Sequence, residues 1–156
     1  MGLKENLGKD RIDQLNLREP VTVPPSASVR DAVQLMRDKD IGCAIVVDDN
    51  RKPLGIFTES MLTETLSHRP ASLDEPIQMH MADRCPWVRT TDTVAELLEA
   101  MQLKNVRMVC VVDEQDHVVG LTGQRGLMEY VAEHFPGQVM VQRIGLSPNF
   151  SEREGA

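Results

Sequence analysis

The chain has 156 residues and a formal charge of −7, an acidic balance that argues against a general nucleic-acid binder, which needs a basic surface to displace condensed counterions. Hydrophobic residues make up 41% and charged residues 26%, but aromatics only 3%, so the expected core is Val, Leu, Ile and Met. No apolar run approaches the ~20 residues of a membrane span and no signal peptide is recognisable, which makes a membrane partner unexpected.

In chain order, Leu3, Leu7, Ile12, Leu15 and Leu17 stand among charges and predict a short amphipathic helix in an N-terminal segment over residues 1–16. Pro20 to Val23 reads as an extended piece halted by Pro24–Pro25. Ser28 with Asp31 opens a helix whose apolar stripe is Val29, Ala32, Val33 and Met36, one face at helical spacing. Two β-branched runs follow, Cys43 to Val47 and Pro53 to Phe57, joined by an Asp/Asn-rich turn; that pattern predicts a hairpin. A second helix is expected over Ser60 to Ser67. Residues 69–76, with two prolines and polar neighbours, read as a linker.

The sequence then repeats itself. Trp87–Val88 stand for Thr22–Val23, and Thr93 with Glu96 makes a fuller capping box. The stripe Val94, Leu97, Leu98 and Met101 matches the first. Gly55 aligns with Gly120, Asp48 with Asp113, and Val46–Val47 with Val111–Val112, all at an offset of 65 residues. The last helix is expected over Gln124 to His134. Beyond it, residues 136–156 read as a tail in which Gln138 to Ile144 alternates enough for a short strand. Two copies of about 60 residues are each marginal as lone cores, so they are expected to pack as one unit. Val46, Val47, Val111, Val112 and the stripes around Val33 and Leu98 are then its buried residues.

Both copies resemble CBS domains, the repeats first described in cystathionine β-synthase, and the tandem resembles a stand-alone Bateman module. The residues that carry the likeness are SVRDAVQLM…AIVVDDNRKPLGIFTES and TVAELLEAM…VCVVDEQDHVVGLTGQR. The resemblance implies an α+β fold of two β-α-β-β-α repeats (α/β-like, related by a pseudo-two-fold), with repeat 1 at 17–68 and repeat 2 at 77–135. It also implies a homodimer, an unidentified regulated protein partner, no required cofactor, and AMP, ATP or S-adenosylmethionine as regulatory ligands in clefts between the repeats.

Carried over by resemblance, the ligand contacts fall on Thr22, Val23, Gly42, Cys43, Ala44, Thr58 and Met61 in the first copy. In the second they fall on Val88, Arg107, Met108, Val109, Gly123, Arg125 and Gly126. Family members that bind adenosyl ligands have G-h-h-[ST]-x-x-D, whose Asp accepts hydrogen bonds from both ribose hydroxyls. Here Met61 and Gly126 replace the Asp, and Gly123 replaces the second hydroxyl. A phosphate is expected to prefer repeat 2, near Arg107, Arg125 and the free N–H groups by Gly123, and an apolar moiety repeat 1.

Plainer readings compete. Thr58 before a helix is an N-cap candidate, and the glycines from Gly120 to Gly126 serve tight backbone geometry. The acidic pairs Asp48–Asp49 and Asp113–Glu114 suit hairpin turns better than a cation. No His or Cys spacing fits a metal; Cys43, Cys85 and Cys110 form no C-x-x-C, and the odd count points to reduced thiols and a cytoplasmic location. No nucleophile–base arrangement is present. The sequence therefore favours a non-catalytic regulatory module that senses a small ligand. The alternative is a degenerate pair that acts as a dimerisation or protein-interaction module, through surplus apolar residues (Met61, Leu62, Leu66; Leu127, Met128, Val131) on its second helices.

Overall fold

Two passes through one β-α-β-β-α pattern build two three-stranded sheets. The computed structural model describes residues 2–135; the strand expected over Gln138 to Ile144 lies outside them. In repeat 1, β1 (Thr22–Val23), β2 (Cys43–Val47) and β3 (Pro53–Thr58) lie in that order, β1 parallel and β3 antiparallel to β2. In repeat 2, β4 (Trp87–Arg89), β5 (Met108–Val112) and β6 (Val118–Gly123) repeat the arrangement. Each parallel pair needs a crossover, and helices α2 (Val29–Lys39) and α4 (Val94–Lys104) supply it.

Local chemistry sets these boundaries. Ser28 Oγ accepts from Asp31 N at 3.1 Å at the start of α2. Thr93 and Glu96 satisfy one another's backbone at the start of α4, at 3.2 and 2.7 Å. Both helices end on a short polar residue in the left-handed region, Asp40 (φ 53°) and Asn105 (φ 49°), which such side chains tolerate. The buried stripes are Val29, Ala32 and Met36, then Val94, Leu97 and Met101; Val33 and Leu98 are half-buried. In the hairpins, Asp48 Oδ1 accepts from Asn50 N (2.8 Å) and Lys52 N (2.9 Å). Asp113 Oδ1 does the same for Gln115 N and His117 N, both at 2.9 Å. Those carboxylates are committed to turns. Bulges follow at Val46/Val47 and Val111/Val112; Val47, the last residue of its strand beside the exposed turn, is half-buried instead of buried, whereas Val112 is buried.

The N-terminal segment departs from the single helix expected. Helix α1 covers only Leu3–Leu7, Gly8 caps it, and a 3-10 turn spans Ile12–Gln14. This segment packs on repeat 2. Ile12 N bonds Asp92 O and Val94 N bonds Asp10 O, each at 2.9 Å, and the Tyr130 hydroxyl donates to Asp10 Oδ2 at 2.5 Å. Arg18 and Leu121 then exchange both backbone hydrogen bonds at 2.9 Å. The segment ahead of β4 mirrors this on repeat 1, where Ala82 and Ile56 exchange bonds of 2.9 and 3.1 Å and Ile77 N bonds Ala27 O at 2.7 Å. Each repeat's leading segment therefore extends the other repeat's sheet. The repeated glycine is explained by that crossing: a Cβ at Gly55 would stand 2.4 Å from Ala82 O.

The connection between the repeats is more structured than a bare linker, with a 3-10 turn over Pro70–Asp74 and Ser72 buried. Helices α3 (Glu59–His68) and α5 (Gln124–His134) complete the repeats. Cys110, Val112, Val118 and Leu121 of repeat 2 join Val21, Ile45 and Phe57 in one core, so the copies form a single packed unit.

Candidate functional site

The crossing of the leading segments opens a cleft beside the start of α3. Its volume is about 590 Å³, and its wall from repeat 1 comprises Gly42, Cys43, Thr58, Glu59, Ser60 and Met61. The opposite wall, Ala82, Arg84 and Pro86 with Asn105 to Met108, comes from the leading segment and β5 of repeat 2. Thr58 Oγ1 accepts from Met61 N at 3.3 Å, so it caps α3 while its side chain borders the cleft. Glu59 N bonds Gly42 O at 3.1 Å, and the Glu59 carboxylate folds over Gly42, about 3.4 Å from where a Cβ would be. Met61 lines the cleft and rests against the shared core without filling the space. Arg84 and Arg107 are exposed and make no side-chain ion pair among the described residues. Two guanidinium groups and one carboxylate therefore face a cavity large enough for a small organic anion.

The pseudo-equivalent cleft beside α5 holds only about 50 Å³, room for one or two waters at ~30 Å³ each. Its lining includes Asn16, Arg18, Arg107, Thr122, Gly123, Arg125, Gly126 and Glu129. Gln124 N bonds Arg107 O at 3.2 Å, and a Cβ at Gly123 would lie 2.0 Å from that same oxygen. Gly123 is thus required by backbone contact. Arg18 donates to Asp40 O at 3.0 Å, and Arg125 Nε stands 3.6 Å from Glu129 Oε1. The hydroxyl oxygen of Thr122 is buried there without a partner.

Among the residues singled out from the sequence, Gly42, Cys43, Thr58, Met61, Arg107 and Met108 meet at the large cleft. Arg107 and Met108 also border the small one, with Gly123, Arg125 and Gly126. The cleft of repeat 2, the expected place of a phosphate, is much the smaller of the two. Val23, Ala44, Val88 and Val109 are 0–4% exposed in the cores and line no cleft, because these strands are covered on both faces and bury successive side chains. Thr22 borders a separate hollow of about 160 Å³ with Pro20, Leu35, Lys39 and Arg51. Sequence reasoning missed Glu59, Ser60, Arg84, Pro86 and Asn105 in the large cleft, and Arg18 and Thr122 in the small one. Arg84 could have been found only by knowing that the segment ahead of β4 crosses to repeat 1.

All three cysteines lie in the shared core, and Cys43 also lines the large cleft. Burial pushes the Cys43 thiol up to about 12. The interaction of the two neighbouring thiols lowers Cys85 and, together with burial, raises Cys110. Among the described residues no group of three or more His, Cys, Asp or Glu is arranged to hold a metal ion, and no helix is long and apolar enough to cross a membrane.

Comparison with known proteins matches the CBS domain model at residues 12–68 and again at 77–133. The chain is 28% identical over 131 residues to the glycine betaine/carnitine/choline transport ATP-binding protein OpuCA of Bacillus subtilis. That match covers 82% of this chain and only 32% of the relative, so the chain spans about a third of that protein's length. Among solved structures it resembles a CBS domain protein from Pyrobaculum aerophilum complexed with AMP, with TM-score 0.68, 26% identity, and coverage of 75% of this chain and 89% of that one. It also shares its fold with a CBS domain pair in complex with 5′-methylthioadenosine and S-adenosyl-L-methionine, at TM-score 0.70, 20% identity, and coverage of 79% and 96%.

Proposed function

The chain belongs to the CBS domain family, matched over both repeats, and on that premise we propose that it is a non-catalytic regulatory module that binds one small anionic ligand of the adenosyl type in the cleft of repeat 1. The observation that carries this is the inequality of the two clefts, about 590 Å³ against 50 Å³, with Arg84 and Arg107, which make no side-chain ion pair among the described residues, on the larger. Anions favour guanidinium groups, which present planar, forked donors. The solved structures it resembles, one complexed with AMP and another with S-adenosyl-L-methionine, favour the adenosyl class. Met61 cannot accept from a ribose diol, so binding is weaker than in a site with the acid, roughly ten- to a hundred-fold for one lost charge-assisted hydrogen bond.

Occupancy would act on a separate protein in the cytoplasm, read by a homodimer that meets through α3 and α5. Leu66 and Met128 on those helices are 36% and 73% exposed, surplus to the stripes that pack on the sheets. Calorimetry of the full chain with AMP, ATP and S-adenosylmethionine tests the ligand. Weak, saturable binding of at least one, reduced about ten-fold by Arg107→Gln, is the expected result. No heat with any of the three, or affinity untouched by that substitution, would sink it.

A further inference from the structure

Among the described residues that line the large cleft, only Glu59, Arg84 and Arg107 carry charge. Glu59 opens α3 directly after its cap, Thr58. Its carboxylate oxygens stand 3.4 and 3.7 Å from the point where a Cβ of Gly42 would be, so the acid lies along the cleft wall over a residue with no side chain. That carboxylate makes no hydrogen bond or ion pair among the described residues. Comparison of the repeats shows what is particular to this cleft. At the 65-residue offset Gln124 stands in place of Glu59 and Arg107 in place of Gly42, and α5 has no acid in its first turn. An acid at a helix start meets the positive end of the dipole, yet repeat 2 builds the same helix without one. The fold does not require Glu59; its free carboxylate is a property of the cleft.

Resting on the assignment of an adenosyl ligand to this cleft, we propose that Glu59 determines specificity by ligand charge, so that a nucleoside monophosphate is accepted in preference to the triphosphate. A monophosphate brings about two negative charges, which Arg84 and Arg107 offset. A triphosphate brings more, and no third cation among the described residues lines the cleft to meet them. The surplus charge shares the cavity with the Glu59 carboxylate. Two like charges about 8 Å apart, in a dielectric roughly half to fully that of water, weaken binding about two- to six-fold. All three charged residues are exposed, so added salt screens the discrimination.

Calorimetry of the full chain with AMP and with magnesium-free ATP at low salt is the test, run on the parent, on Glu59→Gln, which copies the residue of repeat 2, and on Glu59→Asp, which keeps the charge. The parent is expected to bind AMP more tightly than ATP, by a margin that shrinks as sodium chloride is raised. In Glu59→Gln both nucleotides should tighten, ATP by about two- to six-fold more than AMP, while Glu59→Asp keeps the parent's preference. Binding of both nucleotides with a parent that favours ATP, or with a preference that Glu59→Gln leaves unchanged, would overturn the role of Glu59 and leave the cleft an adenosyl site. No binding of either nucleotide to any of the three proteins would overturn that assignment and this inference with it. The parent's preference and its salt dependence decide the matter even if a variant folds poorly.

Discussion

Substituting Gly55 by alanine tests the exchange of leading segments that builds the cleft. The added methyl would meet Ala82 O at 2.4 Å and Met81 Sδ at 2.7 Å, against a relaxed carbon contact of about 3.5 Å. Relief requires the segment ahead of β4 to retreat by on the order of 1 Å. That retreat carries the Ile56–Ala82 pair of hydrogen bonds, now 3.1 and 2.9 Å, beyond the usual limit of about 3.2 Å. Two net backbone bonds are worth ~0.5–1.5 kcal/mol each, and overpacking adds ~1–3 kcal/mol. The lower chain entropy of alanine in the unfolded state returns ~0.4–1 kcal/mol. The net loss is about 1–6 kcal/mol, a sizeable share of the ~5–15 kcal/mol of an ordinary domain. Urea unfolding measures it directly. Gly8→Ala is the control, since its methyl meets only Glu5 O at an ordinary 3.6 Å. If Gly55→Ala unfolds within ~0.5 kcal/mol of the parent, typical of an inert surface change, the crossing does not constrain this glycine and the reasoning fails.

Restoring the missing acid by Met61→Asp should tighten AMP by roughly ten-fold or more, measured by calorimetry; unchanged affinity would show that α3 stands too far from the ribose. Tyr130 should titrate late: burial first, then its bond to Asp10, pushes the phenol up from 10.0 to about 12. With the folded value raised, the stability this group adds is complete below pH 10 and lost as pH rises through about 12. Ultraviolet absorbance of the sole tyrosine reads this, and an ordinary midpoint near 10 would mean that the N-terminal segment is not docked on α5.

Much of the fold is legible in the residues because its determinants are local. Ser28, Thr93 and Glu96 cap their helices as their spacing requires, and Asp48 and Asp113 hold their turns. Even the left-handed positions recur at the 65-residue offset, Asp40 with Asn105 and Arg51 with Asp116. The site was half legible. Thr58, Met61, Arg107 and Met108 follow from their places in the repeat, but Arg84, Pro86 and Asn105, which face Thr58 and Met61 from repeat 2, do not. Arg84 and Pro86 reach the cleft through backbone pairing between Ala82 and Ile56, a contact with no periodic signature. The same holds for the gathering of Cys43, Cys85 and Cys110, which stand more than twenty residues apart in sequence. The unequal clefts were also hidden, because the contact of a helix start with the preceding strand is alike in both repeats, Glu59 N on Gly42 O and Gln124 N on Arg107 O.

A crystal of the full chain grown with AMP addresses the central claim most directly, because it shows where a nucleotide sits as well as whether one binds. The expected result is one nucleotide per chain, between Thr58 and Met61 on one side and Arg84 and Arg107 on the other, with its phosphate toward the guanidinium groups and the space by Gly123 to Gly126 free of it. A nucleotide beside Gly123 and Arg125, or one in each repeat, would contradict the claim that a single open cleft does the binding.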